Sequence, residues 1–213
     1  MAPSPLVDTF TIPGIILVSG PKGSGKTHFI RHLLYQLCKE KHVAHVTIIS
    51  PTSYTGAYDY LAPEHIHSSY NEAILYDLID EQVALREAGT PRPAALILDD
   101  CIGTANFKST VWEQLSTTCR HPLLTIVVVT QQMKRIPPVL RDNSDTTVVL
   151  RTIDKDNMKA LYDCCGRASF RTQREFDAFL LFNTVDYKCV VFNHGKPEIV
   201  RAPPTSKKFR VLY

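Results

Sequence analysis

Residues 15–27 read IILVSGPKGSGKT, an apolar run that breaks directly into Gly20-x-x-x-x-Gly25-Lys26-Thr27. This strand–loop–helix pattern constrains fold and ligand together, because it is the phosphate-binding loop of nucleotide-binding α/β proteins. The run at 15–18 suits a buried strand. Gly20, Pro21, Lys22, Gly23, Ser24 and Gly25 then form a tight turn whose successive N–H groups can point at phosphate oxygens. Lys26 brings a point charge to the β- and γ-phosphates, and the Thr27 hydroxyl suits Mg²⁺. His28 opens a helix expected over 28–41, whose N-terminal dipole favours anions. The ligand these residues imply is a nucleoside triphosphate.

Beyond the loop, short apolar runs alternate with helical patterns. Strands are expected at 15–19, 45–50, 95–99, 124–130 and 146–151, and helices at 28–41, 71–87, 108–120 and 138–141. Such alternation predicts an α/β fold with a mainly parallel central sheet and helices on both faces. The later part changes character, with helices expected over 154–164 and 172–185 and a hairpin of 187–193 and 198–201 around His194-Gly195-Lys196-Pro197. It reads as a small helix and hairpin appendage. The expected organisation is a single domain over 1–213, with a core at about 12–165, the appendage at 166–202 and a basic tail at 203–213. The turn-rich stretch 50–69 carries three tyrosines and two histidines and reads as an irregular connection in preference to a partner-binding loop.

Composition narrows the class without naming it. Hydrophobic residues at 44% and charged residues at 21% are ordinary for a soluble globular protein. The apolar runs are strand-sized, so no transmembrane segment is expected, and no secretory leader pattern opens the sequence. Six cysteines show neither a CxxC pair nor metal-ligand spacing and read as reduced intracellular thiols. A net charge of +3 is mild, but residues 196–213 hold five basic residues against Glu198 alone. That tail suits either a solvated terminus or an electrostatic contact to nucleic acid or a partner.

The second half of the nucleotide site lies at strand ends. Ala94-Ala95-Leu96-Ile97-Leu98 runs into Asp99-Asp100, 73 residues beyond Lys26. An acid at the end of such a strand can hold Mg²⁺, and ligand groups of doubly wound sheets gather at carboxyl ends, so Thr27 and Asp99 can meet. Asp100 is then free to act as general base on an attacking water. The run at 124–130 ends in Gln131, an amide placed to sense the γ-phosphate or orient the water. Arg120, Arg141 and Arg151 are candidates to neutralise transition-state charge, and spacing does not choose among them. There is no Asn/Thr-Lys-x-Asp guanine-reading stretch, which favours ATP. The arginine-rich lid of small-molecule kinases is also missing.

Taken in order, these motifs resemble the FtsK–HerA superfamily of ATPases. More narrowly they resemble the genome-packaging ATPases of large eukaryotic DNA viruses, virophages and Polinton-type elements. The resemblance rests on GPKGSGKT at 20–27, LILDDC at 96–101, Arg120-His121, Val129-Thr130-Gln131 and IPPVLRDN at 136–143 leading into VVLRTI, and it covers about 12–165. It implies a RecA-like P-loop NTPase sheet in which another strand separates the acid-bearing strand from the loop strand. It also implies a homo-oligomeric ring that hydrolyses ATP with Mg²⁺ to drive double-stranded DNA into a preformed capsid. The expected setting is intracellular, at the viral assembly site and in the virion, with capsid or portal and membrane-vertex proteins as partners. In such rings the nucleotide lies between subunits, so a finger arginine would come from the neighbour, with Arg141 the first choice and Arg151 the second. Many superfamily members carry Glu where this chain has Asp100. A nucleotide-gated DNA- or capsid-binding module without turnover, or a small-molecule kinase of P-loop fold, are the alternative readings.

Overall fold

A computed structural model describes residues 6–202, 205 and 209–211. Its centre is one sheet of eight strands in the order β3-β2-β4-β5-β1-β6-β7-β8. In chain order these are β1 (Ile15–Ser19), β2 (His45–Ile49), β3 (Ile66–His67), β4 (Ala94–Asp99), β5 (Leu124–Thr130), β6 (Thr146–Val149), β7 (Lys188–Asn193) and β8 (Lys196–Arg201). The six strands from β3 to β6 in the sheet order pair in parallel, and β7 and β8 add to the β6 edge as an antiparallel hairpin. This is the mainly parallel α/β sheet of a P-loop NTPase, with β5 lying between the acid-bearing β4 and the loop strand β1.

Strand composition dictates this arrangement. β1 and β5 are buried along their whole length, as strands covered on both faces must be. Alternate residues then feed two separate cores. Ile15, Leu17, Leu96, Leu98, Ile126 and Val128 face one side. Ile16, Val18, Ile97, Val127 and Val129 face the other. Helix α1 (Lys26–Glu40) covers the second face with Phe29, Ile30, Leu33, Leu34 and Leu37. The first face is covered by α2 (Glu72–Glu87), α3 (Thr110–Thr118), α5 (Lys155–Leu161) and α6 (Gln173–Asn183), with Trp112 and Phe176 fully buried. The short helix α4 (Pro138–Asp142) leads into β6.

Several boundaries move for physical reasons. Helix α1 starts at Lys26, so Lys26 and Thr27 ride on its first turn instead of preceding it. β6 stops at Val149, short of the expected 151. The helix expected over 154–164 ends at Leu161 and widens into a π-helical turn at Tyr162–Gly166. Asp154 and Thr172 do cap α5 and α6, the latter through a reciprocal capping box with Glu175. The hairpin joins the main sheet, which places Lys196 and Arg201 of the basic C-terminal stretch in β8. Of the tail at 203–213, Lys207 and Lys208 lie outside the described residues. Its described part is not simply solvated, because the Val211 N–H donates to the Tyr60 carbonyl (2.9 Å) and the Phe209 ring stacks on Tyr60 at 5.4 Å. All six cysteines are free thiols, and no helix among the described residues is long and apolar enough to cross a membrane.

Asp145, just before β6, ties two strand starts together. Its buried carboxylate accepts the Ile15 N–H at 2.9 Å and pairs with Arg120. An Asp145→Ala chain is expected to lose about 2 kcal/mol of stability, the usual cost of orphaning a buried N–H. Urea unfolding measures this. Asp145→Asn, which keeps an acceptor for Ile15, should lose less.

Candidate active site

The C-terminal ends of the parallel strands bring the sequence-selected residues to one sheet edge. The loop leaves β1 at Ser19 and turns into α1 through Gly25, whose φ of 94° lies in the left-handed region that glycine alone enters freely. Gly20 must also lack a side chain, since a Cβ there would stand 2.5 Å from Ser24 Oγ and 2.9 Å from Leu150 Cβ. The Gly20 N–H is held by the Thr130 carbonyl (3.1 Å), which pins the loop to the end of β5. Lys26 folds back over this loop, its Nζ donating to the Gly20 and Pro21 carbonyls at 2.8 and 3.0 Å. Burial lowers the Lys26 pKa, and the charges of Asp99 and Asp100 oppose that shift. Thr27 and His28 are exposed on the first turn, and Ser24 Oγ is buried with no hydrogen-bond partner. A polar atom so placed, beside a lysine satisfied only by carbonyls, fits a loop built to receive phosphate oxygens.

Asp99 ends β4, and Asp100 follows with φ of 58°. Burial raises the Asp99 carboxyl above its ordinary pKa, with the Tyr58 hydrogen bond as the main opposing influence and the Asp100 charge adding to the rise. A divalent cation between Thr27 and this crowded, partly desolvated acid pair would relieve their repulsion, so the donor set fits Mg²⁺. Asp100 is exposed, and its Oδ2 accepts a 3.1 Å hydrogen bond from Gln131 Nε2. The left-handed turn at Asp100 accompanies this reach to the amide at the end of β5. A carboxylate and an amide held together at this edge can take a proton from water and orient it.

Two residues here escaped the sequence reading. Tyr58, only 1% exposed, donates its hydroxyl to Asp99 Oδ2 at 2.5 Å. Burial, and then the Asp99 charge, pushes the phenol pKa well up, which keeps it a donor. The stretch 50–69, expected to be a mere connection, therefore packs Tyr58 and Tyr60 into the core and touches the site. Alternation in Tyr58-Asp59-Tyr60-Leu61 was the available signal. Cys101, read only as part of the 96–101 motif, is the other in the contacts it makes. Its Sγ donates to the Ile49 and Asp99 carbonyls at 3.0 and 3.4 Å, joining the ends of β2 and β4, and burial pushes its thiol up to about 12.

The three arginines separate. Arg120 is engaged by Asp145 at the opposite edge of the sheet. Arg141, in the last turn of α4 before β6 begins, also lies at that opposite edge. It lines a cleft of about 510 Å³ with Asp142, Asp163, Arg167 and His194, and its Nε is buried without a partner. Arg151, just past β6, is on the loop's own edge, where its Nη1 donates to the Leu181 carbonyl at 3.2 Å. The structure thus brings Lys26, Thr27, Asp99, Asp100 and Gln131 together and leaves Arg141 apart.

This geometry coincides with a sequence match, in which the family model described as poxvirus A32 protein covers residues 9–171. The chain belongs to the poxvirus A32 family. It is a viral packaging P-loop ATPase. No curated protein sequence matches this A32-family chain. Among solved structures it is similar to the genome packaging NTPase B204 from Sulfolobus turreted icosahedral virus 2 in complex with ATP-gammaS. The TM-score is 0.66 at 15% identity, covering 89% of this chain and 98% of that one. It is also similar to the pCW3 conjugation coupling protein TcpA, with TM-score 0.64 at 16% identity over 93% of this chain and 62% of that one. EssC from Geobacillus thermodenitrificans gives TM-score 0.64 at 12% identity over 92% and 41%. These three share the fold with the A32-family chain.

Proposed function

We propose that this viral packaging ATPase is the motor subunit of a homo-oligomeric ring that drives double-stranded DNA into a preformed capsid. One observation carries the reading. The groups that bind and attack the triphosphate gather at one sheet edge, while Arg141 stands at the other, about 15 Å away by strand length. Arg141 is out of reach of its own nucleotide and free to serve a second copy's. The site within one chain is then half of a hydrolytic centre.

In this reading residues 20–28 hold ATP. Lys26 neutralises the β- and γ-phosphates, and Thr27 with Asp99 would hold Mg²⁺, which would supply further charge neutralisation for phosphoryl transfer. Tyr58 keeps the Asp99 carboxylate oriented, the usual service of a second group behind a metal ligand. Asp100 takes the proton of the attacking water, with Gln131 fixing that water's position. Arg141 from the next subunit meets the charge that develops on the phosphoryl oxygens. The exposed Lys134 and Arg135 come three and four positions after Gln131, so they and the basic C-terminal residues are the natural points of DNA contact. Work of this kind belongs at the viral assembly site in the infected cell, with capsid or portal and vertex proteins as docking partners.

The test uses purified protein with linear duplex DNA. ATP hydrolysis should rise with DNA, and the protein should strip a third strand from a triplex only when ATP is hydrolysed. Hydrolysis indifferent to DNA, with no ring formed in nucleotide, would end the motor reading. Asp100→Asn refines it, because Asn tolerates the left-handed backbone and still accepts from Gln131. Turnover is expected to fall about 100-fold or more with ATP affinity nearly unchanged. Translocation should fall with it, whereas a nucleotide-gated binder would keep its function.

A further inference from the structure

The loop's catalytic groups all lie on one flank of β1, where β5 and β4 end in Gln131, Asp99 and Asp100. β6 and β7 follow β1 on its other side, and a triphosphate whose γ-phosphate met the acids would extend its nucleoside toward them. On that side stands Tyr187. Its Cδ1 lies 3.6 Å from the place a Cβ on Gly25 would occupy, beside Leu150 Cδ2 at 3.9 Å. The tyrosine is 74% exposed, so it contributes little to the core. Across the first turn of α1, His28 is steadied by its Nε2 contact with the Ala202 carbonyl at 3.2 Å.

The backbone holds Tyr187 there at a cost. Residues Asp186 and Tyr187 take φ of 54° and 58° in succession, immediately before β7 begins at Lys188. Left-handed geometry at a bulky residue is uncommon, and such strain collects at ligand sites. The expected strand over 187–193 would have turned this side chain along the sheet. The observed turn instead stands it at the rim of the phosphate loop.

We infer that Tyr187 is the stacking wall for the adenine base of the bound nucleotide. A flat exposed ring next to the phosphate loop offers a face for a nucleobase, and a two-ring base overlaps it more fully than a one-ring base. Leu150 lies beside the ring at the same glycine. The inference rests on nucleotide binding at this loop.

Equilibrium binding of Mg·ATP and of Mg·tripolyphosphate, which has the phosphates but no base, tests it on the full chain. Wild-type protein should hold ATP more tightly than tripolyphosphate. Tyr187→Ala should weaken ATP roughly tenfold, as loss of one base stack does, and leave tripolyphosphate unchanged. Tyr187→Phe should restore ATP binding, because the face and not the hydroxyl is used. Unchanged ATP affinity in Tyr187→Ala overturns the subsite, even if ring assembly suffers. Equal loss of both ligands also overturns it, since the tyrosine would then only shape the loop. A wild-type chain that bound neither ligand would remove the nucleotide reading itself, a failure distinct from both.

Discussion

Lys26→Ala is expected to reduce ATP hydrolysis to background, a loss of at least about 100-fold, with the fold intact. In the proposed site the lysine charge meets the β- and γ-phosphates, where negative charge concentrates as the phosphoryl group leaves. Its present partners are the carbonyls of Gly20 and Pro21. The Pro21 carbonyl is exposed and the Gly20 bond only part-buried, so losing both bonds to Nζ costs about 1–2 kcal/mol, and alanine suits the first turn of a helix. Phosphate release assays with a parallel thermal melt measure both quantities. Hydrolysis near the wild-type rate in a folded variant would remove the assigned role of Lys26.

Arg141→Ala should depress turnover by about 1,000-fold while ATP affinity stays close to wild type, as loss of a finger supplied in trans does. The decisive form mixes two dead variants. Arg141→Ala subunits keep an intact loop, and Lys26→Ala subunits keep an intact arginine, so a mixed ring contains some complete sites. Recovery of activity on mixing places the arginine between subunits. Its absence, with mixed rings demonstrated, would mean that Arg141 acts within its own chain or not at all. Arg151 serves as the comparison, because it stands on the loop's own edge and is held by the Leu181 carbonyl.

Much of the site was legible because its signals are local. The loop glycines, Lys26 and Thr27 are contiguous, and the acids and the glutamine each follow an unmistakable apolar strand. Tyr58 was not legible, because its role depends on a fold-back that sets it 2.5 Å from an acid 41 positions away. Tyr187 was hidden by an expected strand, since two left-handed residues in succession leave no signature when neither is glycine. The tail's charges suited solvent or an electrostatic contact and gave no sign that Phe209 and Val211 would meet Tyr60.

By itself the order of residues determined a parallel α/β sheet, a triphosphate ligand and the pairing of Lys26 with Asp99, Asp100 and Gln131. Strand ends of a parallel sheet must share an edge, so motifs at those ends must meet. Only the tertiary structure decided which flank of β1 faces the acids, which faces Tyr187, and that Arg141 looks away from its own loop. Those facts depend on the strand order β4-β5-β1-β6-β7, which burial of whole faces selects and no single segment encodes.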